Sequence, residues 1–144
     1  MTQVLKTSND FDSWNNHKKQ VHFSEIAPPY FKEREIWWCA LGVNVGVEVE
    51  TDGKNDNFER PVLIVKRFNR DMIWIVPITS TSGDRRFYFP IKYGNNNRWL
   101  ILSQLKTVSS KRPLRKIDFL SLDDFVKVSQ AISSFLLIKS ETPP

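Results

Sequence analysis

The sequence predicts a mainly β protein with helices (α+β), in which a small, strongly bent antiparallel sheet or barrel lies between an N-terminal and a C-terminal helix. Three observations predict it. From residue 34 onward, short β-branched and aromatic runs alternate with turns rich in Gly and Asn. After residue 120 the apolar residues return at helical spacing. Before residue 30 a polar, helix-patterned stretch ends at Pro28-Pro29. Many short strands bury an apolar face by bending into a barrel, and helices cover what remains.

The first element is a short amphipathic helix over about Asp10–Gln20. Ser8-Asn9-Asp10 offers cap residues, and Phe11, Trp14, Lys18 and Val21 recur at helical spacing. Phe11 and Trp14 are expected to dock on the domain or on a partner. Pro28-Pro29 begins an extended linker, because the residue before a proline is pushed out of the helical region.

Strands follow. Ile36–Leu41 carries Trp37 and Trp38 side by side, so one ring faces each side of the sheet. Gly42 to Glu59 is polar, with glycines at 42, 46 and 53, and reads as a long loop with a short hairpin of its own, a length typical of functional loops. Pro61–Phe68 and Met72–Ile78 are β-branched runs joined by Asn69-Arg70-Asp71, a hairpin signature. Arg86–Ile91, Trp99–Leu102, Leu105–Val108 and Ile117–Leu120 are further strands, and Gly94-Asn95-Asn96-Asn97 is a turn by composition.

The last element is a helix capped by Ser121, with Asp123 and Asp124 in its first turn, where the helix dipole favours anions. Phe125, Val128, Ile132 and Phe135 or Leu136 make its apolar stripe. The chain thus divides into an appendage and linker (residues 1–33), a β-rich domain (34–140) and a disordered tail (141–144).

Composition narrows the function classes. No apolar run is long enough to span a bilayer, and no export signal opens the chain, so a cytoplasmic protein without a membrane partner is expected. Cys39 is the only cysteine, in an apolar run, which reads as a buried thiol. One Cys and two His do not make a structural zinc site, and neither a metal nor a cofactor is expected.

The net charge of +5 is unevenly spread. Residues 1–59 hold 6 Lys/Arg against 10 Asp/Glu, and residues 60–118 hold 13 against 3. A segment at +10 is the electrostatic footprint that a polyanion such as nucleic acid requires. Phosphate-loop, dinucleotide, paired-histidine and nucleophile-elbow motifs are all missing. The two histidines, His17 and His22, both fall in the appendage, where a surface role is the expected one.

Three blocks go further. Glu59-Arg60-Pro61-Val62-Leu63-Ile64-Val65 resembles the Arg-Pro-hydrophobic strand after the first loop of the MazF/PemK family of toxin endoribonucleases from type II toxin–antitoxin systems. Pro77-Ile78-Thr79-Ser80 resembles that family's Pro-x-Thr-Ser strand end, and Ile101–Val108 its third block, a strand pair centred on Gln104 and the Lys106-Thr107 dipeptide. Order and spacing agree, and the resemblance covers roughly residues 34–138.

The resemblance implies an SH3-like barrel, a homodimer, a cognate antitoxin with an acidic tail, and metal-independent cleavage of single-stranded RNA by the neighbouring 2′-hydroxyl. Arg60 matches the arginine that would stabilise the phosphorane-like transition state. Thr79 matches the hydroxyl that binds a phosphate oxygen or orients the 2′-OH. Glu48 holds the loop position of a catalytic carboxylate in some members. Ser80, Arg85, Arg86, Tyr88, Arg98, Gln104 and Lys106 are the expected RNA contacts, with Tyr88 as the exposed stacking ring among Trp74, Phe87, Phe89 and Trp99. Read as residues alone, Arg60 could instead pair with Glu59 or Glu48 on the surface.

The sequence departs from the family at Ser103, where some members carry an acid, and at Ile101, where others carry an arginine. The acid/base division therefore stays open: either Glu48 and Arg60 suffice, or Arg98 takes part, or the protein is only weakly active. A non-catalytic nucleic-acid- or protein-binding module on the same barrel, and a gyrase-binding toxin of related fold, are the competing expectations.

Overall fold

The β-branched runs on either side of Asn69 build the central hairpin. Its strands are β2 (Glu59–Arg67) and β3 (Met72–Thr79) in a computed structural model that describes residues 6–138. Asn69 shapes the turn by accepting from the backbone N–H groups of Asp71 (2.8 Å) and Met72 (3.0 Å). Around the hairpin lie β1 (Glu35–Ala40), β4 (Tyr88–Tyr93), β5 (Asn96–Ile101), β6 (Lys106–Ser109) and β7 (Pro113–Phe119). Helices α1 (Ser8–Phe23) and α2 (Leu122–Ser134) complete the described residues.

All the pairings are antiparallel, along the order β4-β5-β3-β2-β1-β7. The outer edge of β3 is shared: Ile78 and Thr79 pair with Leu100 and Trp99 of β5, while Met72–Ile75 pair with β6. The 3-10 turn Leu102–Gln104 carries the chain between the two partners, and the sheet bends there. Val65 is the extra residue between the Ile64–Ile75 and Lys66–Trp74 pairs, a bulge that adds twist.

Strand alternation sorts the core into two layers. Ile36, Leu63, Val76, Ile78 and Leu100 face α2, which adds Val128 and Ile132. Trp37, Cys39, Val62, Ile64, Ile73, Ile75 and Val108 form the opposite layer, closed by Phe31. Trp37 is thus buried, whereas Trp38 is half-buried under the Arg115 guanidinium at 5.1 Å, as two adjacent strand residues require. Burial pushes the Cys39 thiol up to about 12, so it remains neutral at physiological pH.

Several expectations are corrected. The first helix runs longer than Asp10–Gln20 because its cap is Thr7, not residues 8–10. The Thr7 hydroxyl accepts from Asp10 N–H, and the Asp10 carboxylate accepts from Thr7 N–H at 2.7 Å, a complete capping box. Trp14 docks on the barrel, but Phe11 is exposed. The strand expected from Arg86 starts at Tyr88, because the Asp84 carbonyl accepts from both Phe87 and Tyr88 N–H (2.9 Å each) and holds them in a turn. The four-residue turn at 94–97 shrinks to Gly94 and Asn95. Both have positive φ (57° and 64°), as a two-residue hairpin demands, and Asn96 and Asn97 already belong to β5. At the C-terminus Ser121 caps α2 as expected, but the buried stripe stops at Ile132 and the helix ends before Phe135. The expected tail at 141–144 lies outside the described residues.

Candidate functional site

Strand register brings the family-matched residues together. Val62 pairs with Pro77, and the same register carried two residues further sets Arg60 opposite Thr79. Arg60 also pairs with Cys39 of β1, and Lys106 pairs with Ile75. Alternation then places Arg60, Thr79 and Lys106 on one face of the sheet, where the layer of Val62, Ile75 and Val108 gives way to polar groups.

The long loop roofs this place. Arg60 is buried, with Nε donating to the Asp52 carbonyl (3.0 Å) and Nη1 to the Ile78 carbonyl (3.1 Å). The surface pairing with Glu59 or Glu48 is therefore not what holds it. Glu59 takes Arg115 instead, through two 2.9 Å bonds, together with Asn55 at 3.0 Å. Next to Asp52, the Thr51 hydroxyl accepts from Lys106 Nζ (3.3 Å). Burial, reinforced by the positive charge of Arg112, lowers the Lys106 ammonium below the usual lysine range. The Asp52 carboxylate is itself buried and accepts from both Asn44 N–H (2.7 Å) and Asn44 Nδ2 (2.9 Å).

Glu48 sits on the 3-10 turn Gly46–Thr51 in the same loop, exposed and close enough to bear on the charge of Lys106. Thr79 ends β3 half-buried, its hydroxyl accepting from Thr81 N–H at 3.2 Å. Its cross-strand neighbour Trp99 lines a groove of about 600 Å³ with Ser82, Gly83, Arg85, Tyr88, Phe89 and Pro90. Ser80 and Arg85 are exposed near this groove, and Gln104 is half-buried in the 3-10 turn.

Three expected contacts stand differently. Tyr88 is not the most exposed ring, because it packs onto Gly83, where a Cβ would lie 2.7 Å from it, while Trp74 is more open. Arg86 is tied to Asp84 at 2.7 Å, an exposed pair that brings the aspartate down to about 2. Arg98 lies over the Tyr93 ring (6.0 Å) and donates to Asn97, turned away from Arg60. Sequence reasoning missed Asn44, Thr51 and Asp52. The signal was their residue type, since Asn, Thr and Asp in an irregular loop routinely hold backbone groups. Among the described residues, no group of three or more His, Cys, Asp or Glu side chains is placed to hold a metal ion. No helix among them is long and apolar enough to cross a membrane.

Two buried carboxylates in β1 and β2 give the barrel a pH signature. Arg115 holds the Glu59 carboxyl below its ordinary 4.5. Burial pushes Glu35 upward, but Lys116 at 2.8 Å, with the Lys32 amide and Trp37 indole, outweighs it and leaves Glu35 lowered as well. Both groups therefore bind fewer protons folded than unfolded. Their contribution is complete above the unfolded value and is lost as pH falls through the folded values. Melts between about pH 5 and about pH 3 are expected to show a falling Tm, with a shallower fall in Glu59→Gln. Equal slopes would remove Glu59 from this account.

A model of the PemK-like, MazF-like toxins of type II toxin–antitoxin systems matches residues 32–136. Among solved structures, the Mycobacterium tuberculosis toxin MazF-mt6 is similar at 19% identity and TM-score 0.55, over 72% of this chain and 96% of that one. An endoribonuclease in complex with its cognate antitoxin from a mycobacterial species is similar at 13% identity and TM-score 0.58, over 79% and 100%. Deinococcus radiodurans MazF gives 14% and 0.56, over 75% and 98%. At such identities the likeness is one of fold, and it accords with the seven-stranded antiparallel sheet of the described residues. A comparison with curated protein sequences finds no match.

Proposed function

The chain belongs to the PemK-like, MazF-like toxins of type II toxin–antitoxin systems, and from that premise we propose that it is an endoribonuclease cleaving single-stranded RNA without a metal ion. The observation that carries this reading is the convergence of Arg60, Thr79 and Lys106 on one sheet face beside an aromatic groove, within the segment at +10. Cleavage by an adjacent 2′-hydroxyl needs a base, charge stabilisation at the phosphate and a proton for the leaving 5′-oxygen. The Arg60 fork supplies the charge, and the Thr79 hydroxyl aligns the 2′-OH or a phosphate oxygen. Lys106 supplies a second cation, and its lowered pKa makes its proton easier to give to the leaving oxygen. Glu48, exposed on its turn, is the carboxylate we assign as base when RNA covers the loop.

The groove with Arg85, Tyr88 and Trp99 takes the bases by stacking, and Ser80 and Gln104 hydrogen-bond nearby. Arg86 and Arg98 contribute charge at the periphery. A homodimer, a cognate antitoxin whose acidic segment covers this basic face, and action in the cytoplasm complete the reading. The endoribonuclease–antitoxin complex of the same fold supports the antitoxin part.

The test is cleavage of a fluorescent single-stranded RNA with EDTA present. Wild type is expected to cut, and Thr79→Val to cut about tenfold or more slowly, with Thr79→Ser recovering most of the rate. RNA that is bound with steep salt dependence but left intact would replace the enzyme by a binding module.

A further inference from the structure

Helix α1 lies outside the segment that the family model matches. Its contacts are concentrated on one part of the barrel. Trp14 is buried with Ala40, Val43 and Phe58, at the root of the β1–β2 loop. Its indole fills the space where a Gly42 Cβ would stand, at 2.1 Å, so only glycine admits it. His17 adds a second ring against Phe58 (5.8 Å), and Lys6 donates to the Gly53 carbonyl (3.3 Å). Lys111 closes the other end by donating to the His22 (2.7 Å) and Ser24 (3.2 Å) carbonyls.

These contacts run toward Arg60. Phe58, pinned by Trp14, holds positive φ (51°), and its carbonyl accepts from the N–H groups of Leu41 and Gly42. Gly53 presses on that carbonyl so closely that a Cβ would stand 1.7 Å from it. One residue earlier, the Asp52 carbonyl receives Arg60 Nε. Apart from the 3-10 turn and the Lys54–Glu59 bridge, the loop has little regular structure, so its position also draws on such contacts.

We propose that α1 is a brace built into this chain, with Trp14 a positioning residue that acts through Phe58, Gly53 and Asp52 to hold the Arg60 guanidinium in its working orientation. The proposal rests on the role given to Arg60 above. Planar guanidinium chemistry depends on orientation, and a displacement of about 1 Å costs on the order of a hundredfold in rate. The helix thus tunes turnover rather than RNA affinity.

The test compares wild type, Trp14→Ala and Trp14→Phe by hydrogen exchange and by steady-state cleavage. In Trp14→Ala, amides at 41–42 and 51–60 are expected to exchange about tenfold faster or more, with the β2–β3 core unchanged. The kcat is expected to fall about tenfold while KM stays within about threefold, and Trp14→Phe restores most of both. Unchanged loop exchange, or a kcat that holds or rises, overturns the brace. If wild type does not cut RNA, the endoribonuclease reading falls and the exchange result alone decides the brace. Should Trp14→Ala not fold, Lys6→Met carries the test, with faster exchange centred on residues 52–54.

Discussion

Arg60→Ala is expected to lower RNA cleavage by about 10²–10³-fold, the usual loss when one preorganised donor to a developing charge is removed. The same change should also lower stability, because the guanidinium is buried and bonded to two carbonyls. Leaving a buried acceptor unsatisfied costs about 1–3 kcal/mol. A charged residue that served catalysis alone would cost no stability on removal. Arg60→Lys keeps the charge but not the planar fork, so it should recover little of either property. Cleavage assays and urea melts on the same preparations check both, and Arg60→Ala cutting at the wild-type rate would end the assignment.

Gly53→Ala should be nearly as damaging, though it removes no functional group. Its new Cβ would stand 1.7 Å from the Phe58 carbonyl oxygen and 1.9 Å from its carbon, and these are backbone atoms that cannot rotate away. The loop must shift, and the Asp52 carbonyl that holds Arg60 shifts with it. The expected result is a loss of about 1–3 kcal/mol, as for other overpacked sites, with cleavage falling at least tenfold. Gly46→Ala is the control: no neighbour lies within 4 Å of its Cβ, so only the strain of its positive φ is added. Similar cleavage in the two variants would show that the Gly53 contact is not what sets the loop.

What the sequence revealed follows from which interactions are local. The central hairpin was legible because β-branched runs flanked a turn whose Asn69 bonds its own neighbours. Ser121 was legible as a cap for the same reason. The cap of α1 lies one to three residues before the Ser8-Asn9-Asp10 expectation because Thr7 works with Asp10, and Ser8 and Asn9 are equally good cap types. Arg60 and Thr79 were recognised from their motifs, but their approach was not, since it depends on the β2–β3 register. The roof over Arg60 was least legible. Asp52 and Asn44 are eight residues apart in a stretch without periodicity, and the contact of Lys106 with Thr51 spans 55 positions. Tyr88 was misjudged because alternation assigns a face but not what covers it, and Gly83 does so from the adjoining loop.

The shared edge of β3 has a consequence for synthesis on the ribosome. The β2–β3 hairpin is local and closes as soon as its residues emerge, whereas the other edge of β3 waits for partners between residues 96 and 109. Until then, Met72–Thr79 presents unpaired N–H and C=O groups along an apolar strand, an adhesive edge on the nascent chain. Lys106 arrives with the segment that covers that edge, so the last cation of the candidate site and the end of this exposure come together. A cell making this protein therefore carries an unpaired apolar edge until residues 96–109 have emerged, and the candidate site is complete only then.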